Sequence, residues 1–206
     1  MQDRLVWQAA SLLLTYPDEG RSHRLDAVGE LLGHVSGPEA ALLEKTLVAL
    51  RSREPLAAAA DYVETFDMRR RATMYLTYWT AGDTRNRGRE MLVFATAYRD
   101  AGVEPPRDEA PDHLPVVLEF AATVSPEAGR RLLVAHRVPI DVVCDVLARA
   151  ESPYQHAVAA VCETLPTASE RDQRRVQHLQ QAGPPTEAVG LQPFTLTVPP
   201  RKSEGS

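Results

Sequence analysis

The sequence predicts an all-α fold, a single-domain bundle of about eight to ten helices with a flexible C-terminal tail. Apolar residues recur at helical spacing along most of the chain, and no alternating strand pattern precedes the tail. Prolines stand at first helical positions behind a short polar residue or glycine, as in "SGPEA", "VSPEAG" and "ESPYQ". The first predicted helix carries an apolar face of Leu5, Ala9, Leu12, Leu13 and Tyr16.

Local signals justify the elements in chain order. Pro17 ends the first helix, and "SGPEA" begins the third. The sixth has a face of Met91, Phe94, Ala95 and Tyr98, after which "AGVEPPRDEAP" breaks the chain. "VSPEAG" begins the eighth helix, and Ser152 with Gln155 predicts a capping box for the tenth. Helices are therefore predicted at 2–15, 22–34, 38–51, 55–68, 70–81, 84–101, 113–123, 126–136, 139–150 and 153–164.

The chain is predicted to divide into three parts. Residues 1–165 form the helical domain, and 166–182 form a peripheral helix or frayed segment with only Val176 and Leu179 to bury. Residues 183–206 hold five of the 16 prolines and predict an extended, mobile tail. Its apolar stretch "LQPFTLTVPP" is expected to compete weakly for an apolar groove.

Composition excludes several classes of protein. With 44% hydrophobic and 25% charged residues, the chain is typical of a globular protein. No apolar run approaches the roughly 18 residues that cross a bilayer, and the start lacks signal-peptide features, so we expect a cytoplasmic protein without stable membrane insertion. A net charge of -5 disfavours nucleic acid as the main partner. Cys144 and Cys162 lie too far apart in sequence for a redox or zinc pair and are interpreted as buried thiols.

The sequence contains no pattern typical of catalysis or metal binding. Its six histidines are scattered, and none is paired with another histidine or a cysteine at helical ligand spacing. No glycine-rich loop for phosphate lies between a strand and a helix. We therefore expect no enzyme activity, no catalytic residue, no metal and no cofactor.

Two arginine clusters flank an aromatic stretch. Arg69 to Arg71 precede "ATMYLTYWTAGD", and Arg85, Arg87 and Arg89 follow it. Solvated helix faces explain much of this charge, since Asp67 and Arg71 have ion-pair spacing and either Asp83 or Thr84 can cap the sixth helix. Arginines beside Tyr75, Tyr78 and Trp79 are also typical of a contact surface. Both interpretations stay open here.

The stretch "PDHLPVVLEF" predicts the start of the seventh helix. Asp112 is well placed to cap it, and Pro115 is tolerated because its missing amide hydrogen would be unpaired there. His113 is expected to be partly exposed at the mouth of this helix, as part of a recognition edge or of a plain capped helix. The inward-facing residues are predicted to be Leu114, Val117, Leu118 and Ala121.

Four stretches, taken together and in this order, resemble the nitrate reductase delta-subunit family. They are "ASLLLTYPDE", "YVETFDMRRR", "YLTYWTAGDTRNRG" and "PDHLPVVLEFAA", and they run through most of the first 165 residues. The resemblance implies an all-helical chaperone for the catalytic (alpha) subunit of a membrane-bound respiratory nitrate reductase. Such a chaperone binds the client, with its N-terminal segment as the expected contact, during molybdenum cofactor insertion. It is absent from the finished enzyme, and the cofactor insertion machinery is a second implied partner.

The resemblance also implies partner-binding residues. The "YxxxFD" element falls on Tyr62, Phe66 and Asp67, the "GDTRxRG" loop supplies Asp83, Arg85 and Arg87, and the aspartate-histidine element supplies Asp112, His113, Leu114 and Pro115. Residues after about Pro166 have no match. A helical regulatory or nucleic-acid-binding adaptor that uses the arginine clusters is the alternative, and its binding is expected to weaken steeply with salt.

Overall fold

The computed structural model describes residues 1–82 and 84–185, and this part of the chain confirms the all-α prediction. It contains eleven α-helices, none long and apolar enough to span a bilayer. They are α1 (Gln2–Leu14), α2 (Arg21–Leu32), α3 (Pro38–Arg51), α4 (Pro55–Tyr62), α5 (Leu76–Ala81), α6 (Arg85–Asp100), α7 (Leu114–Glu119), α8 (Pro126–Ala135), α9 (Arg137–Arg149), α10 (Gln155–Glu163) and α11 (Glu170–Ala182).

Helix α1 is the centre of the core. It packs against α2, α3, α7 and α10, and its Val6, Ala10 and Leu14 side chains are fully buried. Two polar groups of α1 also have partners within the core: Trp7 Nε1 donates to Thr164 Oγ1 at 2.8 Å, and Ser11 Oγ donates to the Pro115 carbonyl at 2.8 Å. These bonds satisfy buried polar groups, so they fix the orientation of α1 relative to α7 and the end of α10.

Helices α3, α9, α10 and α11 form the other side of the bundle. Helix α10 lies between α3 and α9, and α11 packs on the outside of α9. The stretch predicted as peripheral is helical: a capping box of Ser169 and Asp172 begins α11, and Val176 is its buried residue. Gln180 then joins α11 to α9, because its Nε2 donates to Asp145 Oδ2 at 2.6 Å. The tail segment "LQPFTLTVPP" and its predicted competition lie outside the described residues.

The prediction of one helix over 70–81 is wrong in its first half. A single 3₁₀ turn, Arg70–Ala72, precedes an extended segment, and α5 begins only at Leu76. The segment before α5 pairs antiparallel with the segment before α7: the Leu76 amide donates to the Asp112 carbonyl at 3.1 Å, and the Leu114 amide donates to the Met74 carbonyl at 2.9 Å. This pairing satisfies backbone groups that a helix would have used internally.

Two predicted helices end in a π-helical turn. The helix predicted at 55–68 divides into α4 and a turn at Val63–Asp67, and the one predicted at 113–123 divides into α7 and a turn at Phe120–Val124. The first turn brings Phe66 within 4.7 Å of the Tyr62 ring and 5.0 Å of the Tyr154 ring, centroid to centroid. An aromatic cluster therefore joins α4 to the start of α10.

The capping box predicted from Ser152 and Gln155 is wrong. Tyr154 is the N-cap of α10 and makes no side-chain cap bond. The Gln155 amide instead donates to the Ser152 backbone carbonyl at 3.1 Å, and Ser152 Oγ is buried without a hydrogen-bond partner among the described residues. Ser152 lies in a tight turn after α9, so its hydroxyl does not reach the first turn of α10.

Helix α8 approaches the second π-helical turn without a side chain between them. A Cβ atom placed on Gly129 would lie 2.3 Å from both the Cα and the Cβ atom of Ala121. Real Cβ atoms do not approach that closely, so glycine is the residue that permits this contact. Gly129 thereby sets the spacing between α8 and the segment after α7.

Candidate functional site

The starts of α5, α6 and α7 meet in a polar site beside the extended pairing. Asp112 is its centre and is fully buried. Its Oδ2 atom accepts the backbone N–H of Thr77 at 3.1 Å and the Thr77 hydroxyl at 2.5 Å, and it lies 3.8 Å from Arg87 Nη2. The other oxygen, Oδ1, has no hydrogen-bond partner among residues 1–82 and 84–185. Asp112 therefore stabilises α5, whose first turn it caps.

This geometry corrects the predicted role of Asp112. The N-cap of α7 is His113, which makes no side-chain cap bond. Successive side chains of an extended segment point to opposite sides, and the pairing of Tyr75 with His113 directs the Asp112 side chain toward α5. The predicted inward-facing residues of α7 are confirmed, since Leu114, Val117, Leu118 and Ala121 are all fully buried.

His113 is more buried than the sequence suggested. Its side chain is 12% exposed, and its ring lies 4.9 Å from the Tyr75 ring, centroid to centroid. Nδ1 of His113 lies 3.3 Å from Glu109 Oε2. Burial lowers the pKa of His113, and the carboxylates of Glu109, Asp112 and Asp67 oppose this in that order. The ring is thus held mainly as a neutral group.

Tyr75 connects the buried part of the site to the surface. Its hydroxyl donates to Glu109 Oε1 at 3.1 Å, and the Arg87 guanidinium lies over its ring at 5.3 Å from the centroid. Burial raises the pKa of Tyr75 to about 12, with Glu109 adding to the shift. We call Tyr75, Arg87, Glu109 and His113 the Tyr75 cluster. It offers a cation, a carboxylate and two ring edges, which is a set suited to binding polar groups of a partner.

The burial of His113 predicts a loss of stability in mild acid. The folded-state pKa lies below the ordinary 6.5, so the unfolded chain takes up a proton that the folded chain refuses. The contribution of neutral His113 to the free energy of unfolding is therefore fully present above that ordinary value. It is lost as the pH drops from about 6.5 toward the folded-state pKa. Urea denaturation at about pH 7.5 and about pH 5.5 measures this loss.

Two variants test whether His113 causes this loss of stability in mild acid. His113→Gln should reduce the difference between the two pH values, whereas exposed His34→Gln should leave it unchanged. His136 contributes in the same direction, because burial lowers its pKa too, so part of the loss should remain in His113→Gln. An unaltered pH dependence in His113→Gln would show that Glu109 offsets the burial of the ring.

The other predicted partner-binding residues are dispersed. Tyr62 and Phe66 are buried, and the Tyr62 hydroxyl donates to the Leu14 carbonyl at 3.1 Å. Leu114 and Pro115 are also buried in the core. Asp67 and Arg85 are exposed, and Asp83 lies outside the described residues. The structure thus brings together Asp112, His113 and Arg87, while contact of any of these residues with a partner stays a prediction.

Much of the charge in the arginine clusters is used within the chain. Arg69 Nη2 lies 2.8 Å from Glu64 Oε1, and Arg71 Nη1 donates to the Gln180 carbonyl at 3.3 Å. The predicted pairing of Arg71 with Asp67 is not formed, since the helix does not continue through this stretch. Thr84 is confirmed as the N-cap of α6, because its Oγ1 accepts the Asn86 amide at 3.2 Å.

Helices α6 and α8 form an apolar groove that the sequence did not predict. Its volume is about 540 Å³, and Leu92 and Val93 lie in it with 56% and 57% of their surface exposed. These two residues lie on the side of α6 opposite the buried Phe94 and Tyr98. In the sequence, this groove is indicated by two apolar residues, Leu92 and Val93, on the outer face of the amphipathic helix α6. We call this the α6 groove, lined by Leu92, Val93, Thr96, Ala97, Asp100, Ala101, Ser125, Ala128 and Arg131.

The described residues include no group of three or more histidine, cysteine, aspartate or glutamate side chains placed to hold a metal. The sequence predicts two buried thiols too far apart along the chain for a redox or zinc pair, but the structure differs. Both cysteines are half-buried and line one cleft among α9, α10 and α11. Sequence separation was a poor guide here, because the turn between these helices returns the chain on itself.

The sequence of this chain is similar to those of known proteins. The family model described as nitrate reductase delta subunit matches residues 36–160. The nitrate reductase-like protein NarX of Mycobacterium tuberculosis is 63% identical over 160 residues, which are 78% of this chain but 24% of NarX. The chain therefore spans about a quarter of the length of that relative.

Two further relatives are named as chaperones. The probable nitrate reductase molybdenum cofactor assembly chaperone NarJ of Bacillus subtilis is 32% identical over 168 residues, covering 79% of this chain and 90% of NarJ. The nitrate reductase molybdenum cofactor assembly chaperone NarJ of Escherichia coli K12 is 32% identical over 115 residues, covering 54% of this chain and 49% of that protein. The family model spans more than half of the chain, and the chain belongs to the nitrate reductase delta-subunit family.

Proposed function

We propose that this protein is a system-specific chaperone that binds the immature catalytic (alpha) subunit of a respiratory nitrate reductase. It holds that subunit for molybdenum cofactor insertion and complex assembly, and it is not part of the final enzyme. Family membership and the NarJ relatives, which are named as molybdenum cofactor assembly chaperones, support this proposal. A chaperone for an unfolded or incompletely assembled protein needs a docking surface. The α6 groove is the structural observation that carries this proposal.

The proposed occupant of the α6 groove is an amphipathic helix from the N-terminal segment of the client. Exposed apolar side chains rimmed by polar ones mark interaction sites, and Leu92 and Val93 have this setting between Thr96 and Arg131. A client helix can place anchors at i, i+3, i+4 and i+7 along such a groove.

Charge at the two ends of α6 orients the occupant. Arg89 and Arg85 are exposed, one and two turns before Leu92 respectively, on the outer face, so they favour an acidic residue at that end of the client helix. Asp100 lies in the groove near its other end and favours a basic residue there. This pattern gives the bound segment a direction as well as an apolar face.

The Tyr75 cluster is proposed to bind a second, polar part of the client. Arg87 lies near the beginning of α6, and Glu109 and the exposed Asp67 add two carboxylates close to His113. Here Asp112 acts through Thr77 and the position of α5 rather than by touching the client, since it is fully buried. The cofactor insertion machinery is a further proposed partner, which binds the complex of chaperone and client.

One substitution tests the docking site. Val93→Asp places a charge in the α6 groove and should weaken binding of a peptide from the client's N-terminus at least about tenfold, because an apolar contact is replaced by a desolvated carboxylate. Titration calorimetry measures the affinity, and stability should change by about 0.5 kcal/mol or less at such an exposed position. The matched control is Val48→Asp on α3, where the valine is 60% exposed outside the groove and affinity should be unchanged.

The same titration separates the competing functions. Apolar docking should show a negative heat-capacity change and modest salt dependence. Equal affinity of Val93→Asp and the wild type, with loss in Arg87→Ala, would move docking to the Tyr75 cluster. Failure of the wild-type protein to bind any part of the client, together with steeply salt-dependent binding to nucleic acid, would overturn the chaperone proposal in favour of the adaptor.

A further inference from the structure

A second cleft lies among α9, α10 and α11, away from the α6 groove and the Tyr75 cluster. Its volume is about 410 Å³. Cys144 of α9 and Cys162 of α10 both line it and both are half-buried, so small solutes can reach them. Helix α11 adds Val176, its buried residue, to the same cleft. Two thiols on facing helices are therefore brought together at an open surface.

A carboxylate belongs to the same arrangement. Cys162 Sγ donates to Asp141 Oδ1 at 3.3 Å, and Asp141 lies one turn before Cys144 on α9. Arg137 Nε donates to both oxygens of Asp141, at 2.8 and 2.9 Å, and so fixes the carboxylate in place. The Gln155 carbonyl is a distant acceptor for Cys144 Sγ, 3.9 Å away. The Cys162 thiol thus has a held acceptor for its proton, and the Cys144 sulfur is free to react.

We propose that Cys144 and Cys162 form a reversible oxidation site, in which a hydroperoxide converts the two thiols into an intramolecular disulfide. Cys144 is the attacking thiol and Cys162 the resolving thiol. Contact between them lowers the pKa of Cys144 and raises that of Cys162, in agreement with these roles. The site is independent of the proposed chaperone function.

The reaction balances with the hydroperoxide as the oxidant. The Cys144 thiolate attacks one peroxide oxygen, the O–O bond breaks, and the other oxygen leaves as an alcohol or water after taking a proton. Cys144 is then a sulfenic acid. Asp141 accepts the proton of Cys162, the Cys162 sulfur attacks the Cys144 sulfur, and the S–S bond forms as hydroxide leaves and becomes water. The two thiols lose two electrons in total, and the peroxide gains them.

Mass spectrometry of the full-length reduced protein tests this site. After treatment with an equimolar amount of hydrogen peroxide, the intact mass should fall by that of two hydrogen atoms, and neither cysteine should react with an alkylating reagent. A dithiol reductant should restore both thiols. Thiols that both remain open to alkylation, or disulfides that form only between molecules, would overturn the proposal.

Single variants test the order of attack. In Cys162→Ser, oxidation should stop at Cys144 as a sulfenic acid that dimedone traps, whereas in Cys144→Ser the remaining thiol should stay reduced at the same dose. Equal dimedone labelling of the two variants would contradict the assigned roles. Asp141→Asn should slow disulfide formation without slowing sulfenic acid formation, and an unchanged rate would remove Asp141 from the mechanism. The wild-type mass measurement stands even if a variant folds poorly.

Discussion

Replacement of Asp112 by alanine is expected to lower the free energy of unfolding by about 3 kcal/mol, three times the loss expected for a surface helix cap. The variant loses an acceptor that takes two hydrogen bonds from Thr77, and the Thr77 amide stays buried without a partner. Arg87 also loses the buried carboxylate near it, although this ion pair, at 3.8 Å and with part of the Arg87 side chain exposed, contributes less. Urea denaturation near neutral pH measures the change.

Two variants make this result specific to the buried carboxylate. Asp108→Ala changes an exposed aspartate in the same loop, and its effect should stay within about 0.5 kcal/mol. Asp112→Asn keeps an oxygen that can accept from Thr77, so its loss should be smaller than that of alanine. A loss in Asp112→Ala no larger than in Asp108→Ala would show that Asp112 does not hold α5 beside α7.

Gly129→Ala is expected to lower the free energy of unfolding by about 2 kcal/mol, even though alanine is the better helix former. The propensity gain is about 1 kcal/mol, but the new methyl group would overlap Ala121, whose Cα atom is part of the backbone and cannot turn aside. Helix α8 must then move away from the π-helical turn, at a cost of about 3 kcal/mol. Thermal and urea unfolding of the variant check both the sign and the size.

Gly88→Ala is the matched control for this substitution. Gly88 also lies inside a helix, α6, but apart from its chain neighbours and its own helix backbone no atom of the described residues lies within 4 Å of the position that its Cβ would occupy. The variant should gain about 0.5 to 1 kcal/mol from helix propensity alone. The two glycine variants are therefore expected to change stability in opposite directions. A gain in both would mean that α8 and Ala121 are farther apart than the structure places them.

Helix positions and buried faces followed from the sequence because they depend on neighbours along the chain. The inward direction of Leu114, Val117 and Leu118 comes from the 3.6-residue period. The proline at the first position of α3 and of α8 predicted where each helix begins, since its fixed φ and missing N–H suit a first turn. The order of the four family stretches likewise gave the family, as the comparison confirmed.

The sites, in contrast, depend on residues that meet only in the folded chain. Asp112 has a plausible local role as a cap of α7, and its real partner, Thr77, is 35 residues away. Cys144 and Cys162 share a cleft because α9 and α10 pack side by side, which no spacing rule for ligands anticipates. The α6 groove exists because α8 lies beside α6. Periodicity therefore determined which side of each helix is buried, while helix packing decided which side chains meet, because hydrogen bonds and cavities form between surfaces that are distant in sequence.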